Sequence, residues 1–184
     1  MSGLMKLVGG LLGLLVIVIA LGFVLPSQRH VERAILIDAP PETVFAWVSD
    51  FNQWDAWSPW AQKDPPATMA IAGSGLGQTM TWQSDHPEVG SGSQEIVEIK
   101  PPSRLKTHLD FGDRGYGDAV LQLAPEAGKT RVTWSLDTDM RNGVSLRQQP
   151  LSTYMGFLMD AMVGNEYEVG LQNLKAIAEH ANKA

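Results

Sequence analysis

Residues 7–25 carry neither a charge nor a side-chain amide: a run of 19 made of fifteen hydrophobic residues and four glycines. A surface helix of a soluble domain keeps a polar stripe for solvent, and this run has none. As a helix it spans about 28 Å at about 1.5 Å per residue, against a hydrocarbon core of about 30 Å. It is therefore expected to be a transmembrane helix, with residues 1–6 as a tail and 26–30 as a short linker. A cleaved signal peptide is the alternative. Lys6 would be its basic region, residues 7–20 its apolar core and Val18-Ile19-Ala20 its cleavage site. The apolar run goes on through Leu21, Phe23, Val24 and Leu25, where a signal peptide turns polar, and this favours the anchor. A buried core helix is the third reading. Lys6 before the run and Arg29 and Arg33 after it leave the positive-inside count undecided. A short tail followed by a whole domain is the order of a signal-anchor, which places the domain outside the cytoplasm, on the periplasmic side.

Residues 26–184 form a 159-residue acidic remainder, with 13 Lys+Arg, 20 Asp+Glu and a net charge of −7. That length suits one domain with its own core. The acidic balance argues against nucleic acid as a partner, since binding there needs a basic footprint. The chain has no cysteine, which excludes disulfides, thiolate metal sites and a cysteine nucleophile.

Within the domain, residues 30–38 (HVERAILID) read as a strand and 41–50 as a short helix, with Pro41 tolerated in its first turn. Residues 51–60 (FNQWDAWSPW) read as a second helical turn stopped by Pro59. Six short segments then read as strands: 68–72, 77–84, 94–100, 104–111, 118–124 and 130–138. Leu105, Thr107, Leu109 and Phe111 alternate with Lys106, His108 and Asp110, so one face is buried and one is wet. The last 35 residues change period: Tyr167, Leu171, Leu174, Ala178 and Ala181 step by four, three, four and three, as on a long amphipathic helix. Gly156, Gly164 and Gly170 each cost about 1 kcal/mol in a helix relative to Ala, which points to a bend or a close approach. The order implies an α+β fold in which a curved antiparallel sheet of about seven strands grips one long C-terminal helix. One helix cannot fill so wide a concave face, so large side chains, water or a ligand must occupy the rest.

The chain resembles a known family at several places. Ile37-Asp38-Ala39-Pro40 with Val44-Phe45, then Trp54, Trp57 and Ser58-Pro59-Trp60, is similar to the START-like or SRPBCC superfamily, in its polyketide cyclase/dehydrase branch. Gly77 with Trp82, Thr130-Arg131-Val132-Thr133-Trp134, and Gly170-Leu171 with Asn173-Leu174-Lys175 agree with it. The resemblance covers residues 32–181, and the domain is taken as 31–184. It implies a helix-grip fold with a deep apolar cavity between sheet and last helix, and a hydrophobic small molecule or lipid as the commonest occupant. It does not imply an enzyme, because one scaffold serves many functions.

Catalytic motifs are absent. Gly73-Ser74-Gly75-Leu76-Gly77 lacks the Lys-Ser/Thr of a phosphate loop and reads as a hairpin turn; residues 112–117 read as a hairpin loop or a mobile loop at a cavity mouth. His30, His86, His108 and His180 do not fall in an apolar stripe beside a second titratable group. No metal-ligand spacing is present, and Asp137/Asp139 and Glu166/Glu168 read as solvated faces. No catalytic residue, metal or cofactor is assigned. The candidate ligand-binding residues are Trp57, Trp60, Trp82, Thr107, Leu109, Trp134, Met159, Met162, Tyr167 and Leu171. Tryptophan offers a broad apolar face with one polar N–H. Methionine adapts to irregular ligands, and Met155, Met159 and Met162 share one helix side. Gln83, Thr107 or Tyr167 would orient the ligand. The readings left open are a membrane-tethered binding module, an aromatase/cyclase-like enzyme, and an interaction module whose cavity is filled by its own side chains. The oligomeric state is not legible.

Overall fold

The computed structural model describes residues 2–64 and 67–183. Helix α1 runs Ser2–Val24 and is followed, after three residues, by strand β1, Gln28–Ile37. Helix α2, Pro41–Val48, starts on Pro41 and buries Val44, Phe45 and Val48. A 3-10 turn, Phe51–Ala56, is capped by Asp50, whose side chain accepts from the Asn52 N–H. Pro59 then opens a new helix, α3 (Pro59–Lys63), rather than ending the previous turn. A proline at a first helical position has no intrahelical donor to lose.

Strands β2 (Thr68–Ala72), β3 (Thr79–Gln83), β4 (Gly92–Lys100), β5 (Arg104–Asp110), β6 (Tyr116–Glu126) and β7 (Lys129–Asp139) follow. They join β1 in one seven-stranded antiparallel sheet, in the order β1-β7-β6-β5-β4-β3-β2. The first strand thus pairs with the last, and each remaining strand is a hairpin neighbour of the next. Between Ile96 and Glu98 the β4–β5 register shifts, and the extra residue bends the sheet there.

The two faces differ sharply in composition. Leu105, Leu121, Leu123, Val132, Trp134 and Leu136 are buried on the inner face. His108 and Asp118 pair across the outer face, as do His30 and Asp137.

The C-terminal segment is helical but not one regular helix. Helix α4, Gln149–Met155, passes through a 3-10 turn, Gly156–Leu158, and a π-type turn, Asp160–Gly164, before helix α5, Asn165–Ala181. The three glycines mark close approaches. A Cβ on Gly170 would stand 2.9 Å from Trp134 Cζ3 and 3.0 Å from Pro59 Cδ, so α5 can lie tight on the sheet only without one. Gly156 passes Met140 and Arg29, and Gly164 passes the Arg33 guanidinium. Arg33 donates to Asp160 at 2.9 Å and to Glu168 at 2.6 Å. Arg29 stands 4.1 Å from the Phe157 ring centre. Both arginines after the apolar run are therefore built into the domain. Glu168 and Asp137 lie on solvated faces as expected, paired there with Arg33 and His30, while Glu166 is largely covered and paired with Lys63.

Several contacts fasten the α1–β1 junction to the domain. The Arg141 guanidinium donates to the carbonyls of Gly22 (3.1 Å) and Leu25 (2.6 Å), and to Thr153 Oγ1 (3.2 Å). A helix end leaves such carbonyls without intrahelical donors, and a cation there also suits the helix dipole. Gly22 packs directly on Pro150, and the Tyr154 hydroxyl donates to the Val18 carbonyl at 2.7 Å.

Candidate functional site

A cavity of about 290 Å³ lies between the inner face of the sheet and the irregular helical stretch ahead of α5. The strand register places it. Gln28 pairs with Asp139, Asp110 with Tyr116, Trp82 with Gly92, and Gln83 with Thr68, so these positions share one end of the sheet. Cavity residues Met69, Trp82, Phe111, Tyr116, Thr138 and Met140 cluster at that end. It is also the end at which the chain enters from α1.

Of the residues singled out from the sequence, Trp60, Trp82, Leu109, Trp134, Met159, Met162 and Tyr167 line this cavity. Trp57 and Leu171, 0% and 1% exposed, lie in the packed core instead. Thr107 is buried with its Oγ1 unpaired among the described residues, and it is not in the cavity wall. Gln83 is exposed and outside it. The three-residue tryptophan spacing splits because Trp54 sits on the 3-10 turn and Trp60 on α3. Trp54 and Trp60 reach the cavity, while Trp57 turns inward and donates to the Trp47 carbonyl at 3.1 Å.

The floor is aromatic. Tyr167 stacks on Trp134 with ring centres 3.9 Å apart and planes within 6°. Trp60 stands edge-on to both, at 5.9 Å and 6.1 Å. Trp82 meets Phe111 edge-to-face at 6.0 Å, in space that Gly92 leaves open. Burial pushes the Tyr167 phenol well above its ordinary pKa, so it stays neutral and can act as a donor. The Trp134 indole N–H is buried and unpaired among the described residues.

Residues that the sequence reading did not single out complete the wall, among them Met69, Met80, Gln94, Phe111, Tyr116 and Val163. Gln94 is the one with a visible signal: it stands two residues before Ile96 on β4, on the same inward face, and is 5% exposed. Asp55, Glu88 and Arg114 supply charge to the lining. Lys63 ties Glu88 to Glu166, at 2.7 Å each, and so joins the β3–β4 connection to the start of α5. The Glu166 carboxylate, with Glu88, raises the Lys63 pKa.

Chemically the cavity offers apolar walls, two phenols, an amide and an indole donor, with the charges of Asp55, Glu88 and Arg114 in its lining. Neither His30 nor His108 is in its wall. His108 instead faces a shallower polar groove of about 440 Å³ on the outer sheet face. There burial opposes ionisation of Asp118, but Lys106 and His108 outweigh it and hold its carboxyl below the usual range. Among the described residues no three His, Asp or Glu side chains converge as a metal site would require.

A family model described as polyketide cyclase/dehydrase and lipid transport matches residues 28–179, nearly the whole domain. The chain belongs to this family. Its fold is the SRPBCC helix-grip, and solved structures agree. The Zhui aromatase/cyclase from Streptomyces sp. R1128 superposes with a TM-score of 0.61 at 18% identity, covering 83% of this chain and 94% of that one. The di-domain aromatase/cyclase StfQ of the steffimycin biosynthetic pathway superposes at 0.66 with 8% identity, covering 85% of this chain and 53% of that one. The Aha1 dimer from Colwellia psychrerythraea gives 0.53 at 16% identity, covering 82% and 96%. At such identities the likeness is one of fold. No curated protein matches the chain in sequence.

Proposed function

We propose that this family member is a membrane-anchored module that binds a hydrophobic small molecule or lipid in the cavity between sheet and C-terminal helices. The observation that carries the reading is the cavity itself. At about 290 Å³ it sits near the lower end of ligand sites, which run about 300–1,000 Å³. Its walls are aromatic and methionine-rich, with few polar groups. Apolar burial would supply the affinity, at about 25 cal/mol per Å². Trp60, Trp82, Leu109, Trp134, Met159 and Met162 would make that contact. The unpaired Trp134 N–H, the neutral Tyr167 hydroxyl and the Gln94 amide would orient a ligand oxygen.

Anchoring fits the ligand class, because such molecules reside in membranes. Gly3–Val24 is long and apolar enough to cross a bilayer, and only 6% of its most apolar window is buried by the domain. A signal sequence passes the same test of length and composition. The contacts of Arg141 and Tyr154 with the last turns of α1 favour a helix that stays attached.

A second reading, an aromatase/cyclase-like catalyst, draws on one observation: Tyr116, Tyr167 and Arg114 all reach the cavity. A neutral phenol beside a cation can polarise a carbonyl. The outward position of His108 weakens this reading, since the most suitable base is then remote.

The test uses the full chain in detergent with a diazirine-bearing long-chain fatty acid. The binding reading expects photo-labelling mapped to Trp82, Met159 or Trp134, reduced in Trp134→Ala. Labelling confined to α1 would sink it, because that pattern is micelle contact alone.

A further inference from the structure

The helical stretch between β7 and α5 is amphipathic the wrong way round for a soluble surface. Leu151, Met155, Leu158 and Met162 step by four, three and four along one side, yet are 67%, 41%, 51% and 53% exposed. Leu146 and Phe157 stand exposed with them. Two polar side chains of the same stretch turn inward instead: Ser152 donates to the Met140 carbonyl, and Thr153 accepts from Arg141. Soluble monomers rarely leave so continuous an apolar stripe in water.

Three further observations say what covers it. First, the stripe is fastened to α1. Tyr154 reaches the Val18 carbonyl and Pro150 packs on Gly22, so the start of the stripe lies beside the last two turns of the apolar helix. Val18 precedes the helix end at Val24 by six residues, a rise of about 9 Å. An interfacial helix buries its apolar face about 5–10 Å into the boundary of headgroups and acyl chains, the same depth. Second, charge does not oppose it. From Leu146 to Met162 the charged residues are Arg147 and Asp160, a net of zero in a chain of −6, and Asp160 is paired with Arg33. Such a face is not repelled by an anionic bilayer. Third, Met162 belongs to both surfaces: it is half exposed outside and also lines the cavity, next to Met159 and Val163.

We infer that the face formed by Leu146, Leu151, Met155, Phe157, Leu158 and Met162 lies in the interfacial layer of the bilayer that α1 crosses. The cavity wall at Met159, Met162 and Val163 then abuts lipid rather than water. An apolar ligand passes between bilayer and cavity there without crossing solvent. The 3-10 and π turns at this wall interrupt its regular helical hydrogen bonding. This inference rests on the anchoring reading of α1 given above.

The absence of native cysteine makes the test direct. The full chain is reconstituted into phosphatidylcholine/phosphatidylglycerol vesicles as single variants Leu151→Cys, Phe157→Cys, Leu158→Cys and Met162→Cys, each carrying an environment-sensitive fluorophore. Leu76→Cys, exposed at the opposite end of the sheet, is the water control, and Leu15→Cys reports α1. Lipids with a nitroxide at a shallow chain position serve as quenchers, with a deeper nitroxide for Leu15. The expected result is blue-shifted emission at the four stripe positions, quenched several-fold more than at Leu76. Unquenched stripe positions with Leu15 quenched would overturn the inference and leave the anchor reading standing. Blue-shifted but unquenched stripe positions would mean a second copy or a protein partner, and would equally overturn it. Loss of quenching at Leu15 as well would overturn both readings.

Discussion

The Tyr167 ring lies flat on the Trp134 indole, with centres 3.9 Å apart and planes 6° from parallel, and the two together form the cavity floor. Tyr167 comes from α5 and Trp134 from the centre of β7, so this one contact joins the helix to the sheet it packs on. Tyr167→Ala is expected to cost about 3–5 kcal/mol, the range for removing a large buried aromatic. Tyr167→Phe keeps the stack and should stay within about 1 kcal/mol of the parent, since one hydroxyl contributes about that much net. Denaturant unfolding of the full chain in detergent, followed by near-ultraviolet circular dichroism, separates the two. Equal losses would show that the hydroxyl, not the stack, holds the floor.

Gly170 is the position where helix propensity and packing disagree. Propensity alone predicts that Gly170→Ala stabilises α5 by about 1 kcal/mol. The new Cβ, however, meets the Trp134 ring at 2.9 Å and Pro59 Cδ at 3.0 Å, both in a packed region with little room to move. Overpacking of this kind typically costs about 1–3 kcal/mol. The variant should therefore unfold at lower denaturant, with quenched or shifted tryptophan emission in the native state. A stabilised variant would mean that α5 can lift from the sheet freely.

Much of this was legible in the chain, and the boundary is physical. Alternation is a local property, so all seven strands could be placed to within about two residues of their observed ends. Gly156, Gly164 and Gly170 signalled close approach for the same reason: each is unfavourable in a helix unless something occupies the space of a Cβ. The breaks in the C-terminal helix were less visible, because the side chains packed against Gly156 and Gly164 there, Arg29 and Arg33, come from β1, more than a hundred residues away. The cavity was only partly legible. Trp54, Trp57 and Trp60 share one spacing, but a new helix begins at Pro59, and spacing says nothing about which ring then faces the void. Side-chain pairing across the sheet was invisible too. Glu168 does stay exposed, but Glu166 looks equally exposed until Lys63 arrives from another element and covers it.

Gln78 is a fully buried polar residue whose role is structural. Its Oε1 accepts from the Phe51 N–H at 2.9 Å, and its Nε2 donates to Asp50 Oδ1 at 2.7 Å. It thereby locks the tryptophan-bearing turn onto the sheet. Gln78→Leu leaves the Phe51 N–H without its partner and should cost about 1–3 kcal/mol. The pH profile gives a second readout. Donation from Gln78, and then from the Asn52 N–H, holds the Asp50 carboxyl below its ordinary 3.8. A depressed folded pKa stabilises fully above the unfolded value, and the contribution is lost as pH falls through the lower folded value. Removing Gln78 raises the folded pKa toward 3.8, so the variant gains less from ionised Asp50. The gap between parent and variant should be full above about pH 4 and narrow below it. A gap independent of pH between neutral and strongly acid solution would place the whole effect in the Phe51 hydrogen bond.

Arg141 closes the junction between α1 and the domain. It caps the Gly22 and Leu25 carbonyls while holding Thr153 on α4, so one side chain fixes the angle at which α1 leaves the domain. Met140 adds a backbone link, its N–H donating to the Ser27 carbonyl at 3.1 Å. Arg141→Met keeps the aliphatic stem and removes the three charge-assisted bonds. Hydrogen bonds to charged groups contribute about 1.5–3 kcal/mol. Amide exchange in the peptide spanning residues 21–28 should therefore quicken by about ten- to hundredfold, at about 1.4 kcal/mol per factor of ten. Exchange in β6 and β7 should be unchanged, because the core does not touch this cap. Uniform acceleration across the domain would show that Arg141 supports the whole fold. No acceleration at 21–28 would show that Gly22 packing on Pro150 and the Tyr154 bond to Val18 suffice to hold the helix in place.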